Sequence, residues 1–65
     1  MLKVTQVLRD RHMSKAELSR RSRIDYGTVV AITNGKMKPW PGWQQRIAKA
    51  LNWQGDSAEL FEEVK

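Results

Sequence analysis

The feature that most constrains this chain is a pair of short helices with almost no connecting residues between them. Residues 14–17, Ser-Lys-Ala-Glu, form a capping box, in which the Ser hydroxyl and the Glu side chain cap each other's backbone amides. This box predicts a helix over 15–22, and Asp25 is a good N-cap for the helix that follows. Only residues 23–24 separate the second helix from that cap. Two short helices with so tight a turn cannot pack antiparallel, so we expect them to cross steeply, as in a helix-turn-helix.

Apolar spacing predicts helices on both sides of this pair. The apolar stripes of the first, fourth and fifth helices are Leu2, Val4, Val7 and Leu8; Trp43, Ile47, Ala48 and Leu51; and Leu60, Phe61 and Val64. No segment alternates apolar and polar residues over the length of a strand. We therefore predict an all-α chain, folded as a compact bundle of five helices. Its central core is expected to contain Leu18, Val29, Ile32, Ile47 and Leu51.

Residues that favour helix ends indicate where the predicted helices begin and stop. The first helix is expected to end near His12, and the third at Gly35, which is free to take a positive φ. Pro41 suits the first turn of the fourth helix, and Asn52 can take a left-handed cap after it. A capping residue at 56–57 then begins the fifth helix.

Size and composition exclude several classes of protein. With 65 residues, a single domain over 1–65 is expected. Cysteine is absent and histidine occurs once, which excludes disulfide and thiolate frameworks and leaves no self-sufficient zinc site. The sequence carries no nucleophile–base pair or glycine-rich phosphate loop, so we expect neither an enzyme nor a cofactor or small-molecule ligand. It also lacks a run near the ~18 apolar residues of a membrane span and an apolar signal segment, so we expect a cytoplasmic protein.

The charge is unevenly distributed along the chain. Residues 1–41 hold nine Lys/Arg and three Asp/Glu, giving +6, while residues 42–65 hold three Lys/Arg and four Asp/Glu, giving −1; together they make the net +5. A polyanionic partner facing the first two thirds of the chain is one interpretation. The other is a solubilising surface charge, and charge alone does not separate the two.

Four segments follow an order and spacing found in one known family. They are MSKAEL at 13–18, VVAITNGKMKP at 29–39, RIAKALN at 46–52 and ELF at 59–61. These segments resemble the Cro/lambda-repressor-like (XRE) helix-turn-helix family, with its L-S-Q-x-E-L-A, I-E-N-G-K-x-x-P, K-I-A-K-A-L-G and E-L-F motifs. The resemblance implies a domain that binds double-stranded DNA as a transcriptional regulator, often as a homodimer on a palindrome.

The resemblance also implies which residues contact DNA. Some would face phosphate and others the base edges of the major groove, which the second helix of the motif enters. By position in the family motif, Lys15, Asn34, Lys36 and Lys38 are expected at phosphates, and Tyr26, Gly27, Val30 and Ala31 at bases, with Thr28 as a further hydrogen-bonding group.

The chain departs from the family pattern at several positions. None of the base-facing residues is the Arg, Lys, Asn or Gln that usually reads a base pair, so we expect sparse direct readout and more weight on DNA shape. The family's buried Arg–Glu pair is replaced by Leu8 and Thr33, where an apolar contact is expected instead. His12 and Arg23 stand where the family favours glycine, and a positive φ there would cost on the order of 1 kcal/mol.

Two questions remain open in the sequence. The same fold could serve as a protein-interaction module, such as an antitoxin, that uses Tyr26, Val30 and Ala31 as an apolar patch. Trp40, between two prolines, could cover the core, lie at a dimer seam or pack near a phosphate.

Overall fold

The computed structural model describes residues 1–64, and within them it contains four α-helices and one 3₁₀ helix. The α-helices are α1 (Lys3–Asp10), α2 (Lys15–Ser22), α3 (Tyr26–Thr33) and α4 (Pro41–Ala50), and Ser57–Phe61 is the 3₁₀ helix. The all-α prediction is confirmed, and α2 has the predicted bounds. The Ser14 hydroxyl accepts from the Glu17 amide at 3.0 Å and begins α2, and Asp25 accepts from the Thr28 amide at 3.3 Å and begins α3. The Glu17 side chain, expected to cap the Ser14 amide, accepts instead from Arg21 Nη2 at 3.2 Å.

The predicted fifth α-helix is wrong in type and in length. The segment is five residues of 3₁₀ helix, a form common in such short pieces, and it ends at Phe61. Beyond it the chain is extended and pairs with the N-terminus. The Lys3 amide donates to the Glu62 carbonyl at 2.9 Å, and the Val64 amide donates to the Met1 carbonyl at 2.8 Å. Val64 therefore belongs to a terminal pairing and not to the apolar stripe of a helix.

One core holds the helices together. The five residues predicted at its centre, Leu18, Val29, Ile32, Ile47 and Leu51, are each at most 1% exposed. Six further buried side chains complete it: Val4, Val7, Leu8, Ile24, Ala48 and Leu60. Ile24 comes from the turn between α2 and α3, so this turn is anchored in the core and not only hydrogen-bonded at the surface.

The positions of the family's buried ion pair are occupied by two buried residues. Leu8 and Thr33 are each 4% exposed. The Thr33 hydroxyl donates back to the Val29 carbonyl of its own helix at 2.9 Å, and the Thr33 carbonyl accepts from the Thr5 hydroxyl at 2.8 Å. A neutral hydrogen bond, from the Thr5 hydroxyl to the Thr33 carbonyl, therefore links α1 to the end of α3. The buried Thr33 hydroxyl is satisfied within its own helix.

Three helix ends among the described residues close by the same backbone motif. After α1, the His12 amide donates to the Arg9 carbonyl at 3.2 Å and the Met13 amide to the Leu8 carbonyl at 2.9 Å. Equivalent pairs of bonds end α3 and α4. The left-handed residues of the three motifs are His12, Gly35 and Asn52, with φ of 54°, 78° and 55°. These are Schellman caps, which satisfy the last carbonyls of a helix from within its own chain segment.

The end of α2 is built differently. Arg23 is left-handed, with φ 60°, but side chains bind the carbonyls around it. The Ser19 hydroxyl donates to the Ile24 carbonyl at 2.6 Å. From α4, Arg46 donates through Nε to the Ser22 carbonyl at 3.0 Å and through Nη2 to the Arg23 carbonyl at 2.7 Å. The turn of the helix-turn-helix is therefore held by a residue more than twenty positions away in the chain.

Candidate nucleic-acid interface

Helix α3 turns one face to the core and leaves the opposite face accessible. Val29 and Ile32 are fully buried, while Tyr26 is 53% exposed. The other predicted base-facing residues are partly or fully accessible: Gly27 is exposed, and Thr28, Val30 and Ala31 are half-buried. The accessible face carries one phenol, one hydroxyl and small aliphatic groups, so its chemistry is nearly neutral and weakly polar.

The first turn of α3 explains the glycine on this face. The Asp25 carboxylate accepts from the Thr28 amide, so the Thr28 hydroxyl is not the group that caps the helix. A Cβ added at Gly27 would lie 3.2 Å from the Asp25 Oδ2 atom. Gly27 therefore leaves room for the capping carboxylate, which is a reason within the protein for a glycine at a predicted base-facing position.

The predicted phosphate-facing residues divide into a joined pair and a loop. The Lys15 ammonium, at the start of α2, donates to the Asn34 side-chain oxygen at 2.9 Å, at the end of α3. Lys36 and Lys38 follow on the exposed loop after α3. The structure thus brings Lys15 and Asn34 together across nineteen positions of sequence, and the Lys36 amide donates to the Ala31 carbonyl of α3 at 2.9 Å. Lys38 lies farther along the loop, in a cleft that Glu63 also lines. We call the four predicted phosphate-facing residues the lysine edge.

The loop that joins α3 to α4 exposes a large aromatic side chain. Trp40 is 70% exposed and Met37 is 41% exposed, whereas Pro39 between them is buried. Gln44 of α4 donates to the Pro39 carbonyl at 3.4 Å, which helps to hold this loop. Trp40 therefore does not cover the core, and that interpretation of the sequence is excluded. Trp43, from the predicted apolar stripe of α4, and Trp53 are half-buried and pack against the core.

A second group of cations lies at the C-terminal end of α2, and the sequence did not predict that these cations come together. A cleft of about 630 Å³ is lined by Arg21, Ser22, Arg23, Arg46, Lys49 and Ala50. We call this the arginine cleft. Its residues come from two segments separated by more than twenty positions, and no spacing in the sequence links them. The signal that could have suggested it is weak: Arg23 replaces the glycine that the family favours.

Other kinds of site find no support in the described residues. Among residues 1–64, no group of three or more His, Asp or Glu side chains could hold a metal ion. No helix in the same range is long and apolar enough to cross a membrane.

Comparison with known proteins identifies a family. A family model described as a Cro/C1-type HTH DNA-binding domain matches residues 3–62. No curated protein and no solved structure matches the chain. The family match spans nearly the whole chain, including α2, the anchored turn and α3. The chain belongs to the Cro/C1-type helix-turn-helix DNA-binding domain family.

Proposed function

We propose that this protein binds double-stranded DNA with sequence preference and acts as a small transcriptional regulator of the repressor or Cro-like kind. The observation that carries this proposal is the accessible face of α3, bordered by the cations of the lysine edge. B-DNA has a major groove about 12 Å wide that admits one α-helix, with phosphates along both of its sides. Family membership and the net charge of +5 support the same function.

In this proposal, the lysine edge fixes the position of α3 on the duplex. The Lys15–Asn34 hydrogen bond holds the Lys15 ammonium at the C-terminal end of α3. The exposed Lys36 and Lys38 extend the cationic surface along the loop. Contacts of this kind fix register and supply affinity without reading sequence.

The accessible face of α3 supplies a modest base preference. Val30 and Ala31 can contact thymine methyl groups, while the Tyr26 and Thr28 hydroxyls can each form a single hydrogen bond. None of these side chains makes the two-point contact worth about 1–3 kcal/mol per base pair. We therefore propose a homodimer that combines two half-sites about 34 Å apart, because one such helix alone discriminates little.

The rival function is a protein-interaction module that uses the same face. It is favoured by the weakly polar α3 surface and by the exposed Tyr26, Met37 and Trp40. An apolar protein partner would cover this surface without needing the lysine edge. Salt dependence separates the two functions, since release of counterions from phosphates makes DNA binding fall steeply with salt.

The test begins by selecting bound sites from random duplex DNA and titrating the selected site at several salt concentrations. Replacing Lys36 and Lys38 together with Ala should weaken binding to all duplexes alike and flatten the salt slope by about 2. Lys3→Gln, which removes one positive charge near the terminal pairing, is the control for net charge and should change the slope less. An unchanged slope in the double variant would remove these lysines from the interface.

Base preference is tested on the same selected site. Replacing single thymines with uracil deletes only the methyl group, so binding should weaken at the positions opposite Val30 and Ala31. A selected site with two symmetric half-sites would support the dimer. If no duplex is selected and a protein ligand binds the accessible face of α3, the rival function is established.

A further inference from the structure

The arginine cleft is unusual among the clefts of this surface because its charge has one sign. Other clefts pair cations with carboxylates. One contains Lys3 with Glu59, Glu62 and Glu63, and another combines Lys3 and Arg11 with Asp10. In the described part of the chain, no acidic side chain lines the arginine cleft. Its concentrated positive charge is therefore complementary to a polyanion.

The three cations that carry the inference are positioned by the fold. Arg46 is held by its bonds to the Ser22 and Arg23 carbonyls, which use two of the five N–H donors of its guanidinium. Arg23 and Lys49 are exposed beside it. The positive charge of Arg21 is partly balanced by the Glu17 carboxylate, since its Nη2 lies 3.2 Å from the Glu17 Oε1 atom. The cleft thus presents one oriented guanidinium and two accessible cations.

The cleft lies at the other end of the helix that the proposed function places in the groove. Arg23 is two residues before the Asp25 cap of α3, whereas the lysine edge borders the C-terminal end of α3. An eight-residue helix is about 12 Å long. With side chains a helix is about 10–12 Å across, so it fills the width of the major groove, about 12 Å, with its axis along the groove. The two groups of cations therefore border the groove about one helix length apart.

We propose that the arginine cleft is a second phosphate-binding surface, which contacts the DNA backbone beside the N-terminal end of α3, while the lysine edge contacts it beside the C-terminal end. Arg23, Arg46 and Lys49 would bind phosphate oxygens while α3 lies between the two cation groups. This inference rests on the proposed function and extends its interface to residues of α4 and the turn. It also explains an arginine where backbone conformation favours glycine: the left-handed position carries a cation toward the DNA.

The test variant is Arg23→Gly combined with Lys49→Gln. Glycine suits the left-handed backbone and keeps the carbonyl that Arg46 binds, so the fold should be retained. The readout is the salt dependence of binding to the selected duplex and to a random duplex of roughly 20 bp, two helical turns. The slope should flatten by about 2, with binding weakened equally on both duplexes.

Two controls isolate the effect of the cleft. His12→Gly makes the same change of backbone at another left-handed position without removing an arginine, and it should leave the slope unchanged. Lys3→Gln measures the long-range effect of removing one charge. Circular dichroism of each variant checks that it is folded.

The outcomes separate this inference from the proposed function. If the native protein binds no duplex, both fail. If Lys36→Ala with Lys38→Ala flattens the slope while Arg23→Gly with Lys49→Gln matches the controls, the cleft proposal alone is overturned. It is also overturned if the cleft variant binds one duplex normally but loses co-capture of a second, differently labelled duplex, or loses only an acidic protein partner.

Discussion

Two helix ends in this protein place a non-glycine residue in the left-handed conformation, yet they are stabilised in different ways. His12 after α1 and Arg23 after α2 have φ of 54° and 60°. The His12 turn closes with backbone hydrogen bonds from within its own segment. The Arg23 turn is closed by the Ser19 hydroxyl and by Arg46 from α4. The same left-handed backbone conformation is thus stabilised by neighbouring residues at His12 and by a residue of another helix at Arg23.

The difference has a functional consequence. The turn after α2 sets the angle at which α3 leaves the helix pair, and α3 carries the proposed groove-facing side chains. Arg46 and the buried Ile24 fix that turn from α4 and from the core. The orientation of the candidate DNA interface therefore depends on the packing of α4, whereas the His12 turn only connects two helices.

The largest expected effect is on the free energy of unfolding, when the residue that follows each left-handed position is replaced with alanine. Ile24 is 4% exposed, whereas Met13, at the corresponding place after His12, is half-buried. Ile24→Ala should lower the free energy of unfolding by about 2–5 kcal/mol, because it leaves a cavity in the core. Met13→Ala should cost clearly less. Denaturant unfolding of both variants measures this. Equal losses would contradict the view that the turn after α2 is held in the core more firmly than the turn after α1, where Met13 is only half-buried against the core.

The next effect tests the side-chain cap. Arg46→Ala should lower the free energy of unfolding by about 1.5–3 kcal/mol, toward the lower end because water can reach the two carbonyls. Lys49→Ala, which removes a neighbouring exposed cation, should stay within about 0.5 kcal/mol of the native value. If the two variants unfold at the same denaturant concentration, the Arg46 hydrogen bonds do not stabilise the turn.

The smallest effect compares the two left-handed residues directly. His12→Gly and Arg23→Gly each remove a backbone strain of about 1–2 kcal/mol, offset by the greater freedom of glycine in the unfolded chain, about 0.4–1 kcal/mol. Both should therefore raise stability slightly and by similar amounts in thermal or denaturant unfolding. Only Arg23→Gly should also weaken DNA binding. A stability loss in Arg23→Gly alone would indicate that the arginine side chain itself supports the fold.

Elements with local signals could be predicted from the amino-acid sequence. The start of α2 follows from the Ser14 cap, and the start of α3 from the Asp25 cap. Gly35 and Asn52 adopt the left-handed caps predicted for them. Such features depend on atoms within about one helical turn, so residue type and spacing suffice to predict them. The order and spacing of the motifs also indicated the family and the positions of the candidate contact residues. Contact of those residues with DNA stays a prediction.

Features that join distant segments could not be predicted, because they depend on tertiary packing. Packing places Arg46 on the carbonyls that end α2, joins Lys15 to Asn34, and assembles the arginine cleft from the turn and α4. It also pairs residues 1–3 with residues 62–64, which therefore lie outside the predicted fifth α-helix. Each of these features depends on where a side chain or strand-like segment lies after the helices have packed. No pattern in the local sequence records that position, because the bonds form between groups that only the common core brings within hydrogen-bond distance.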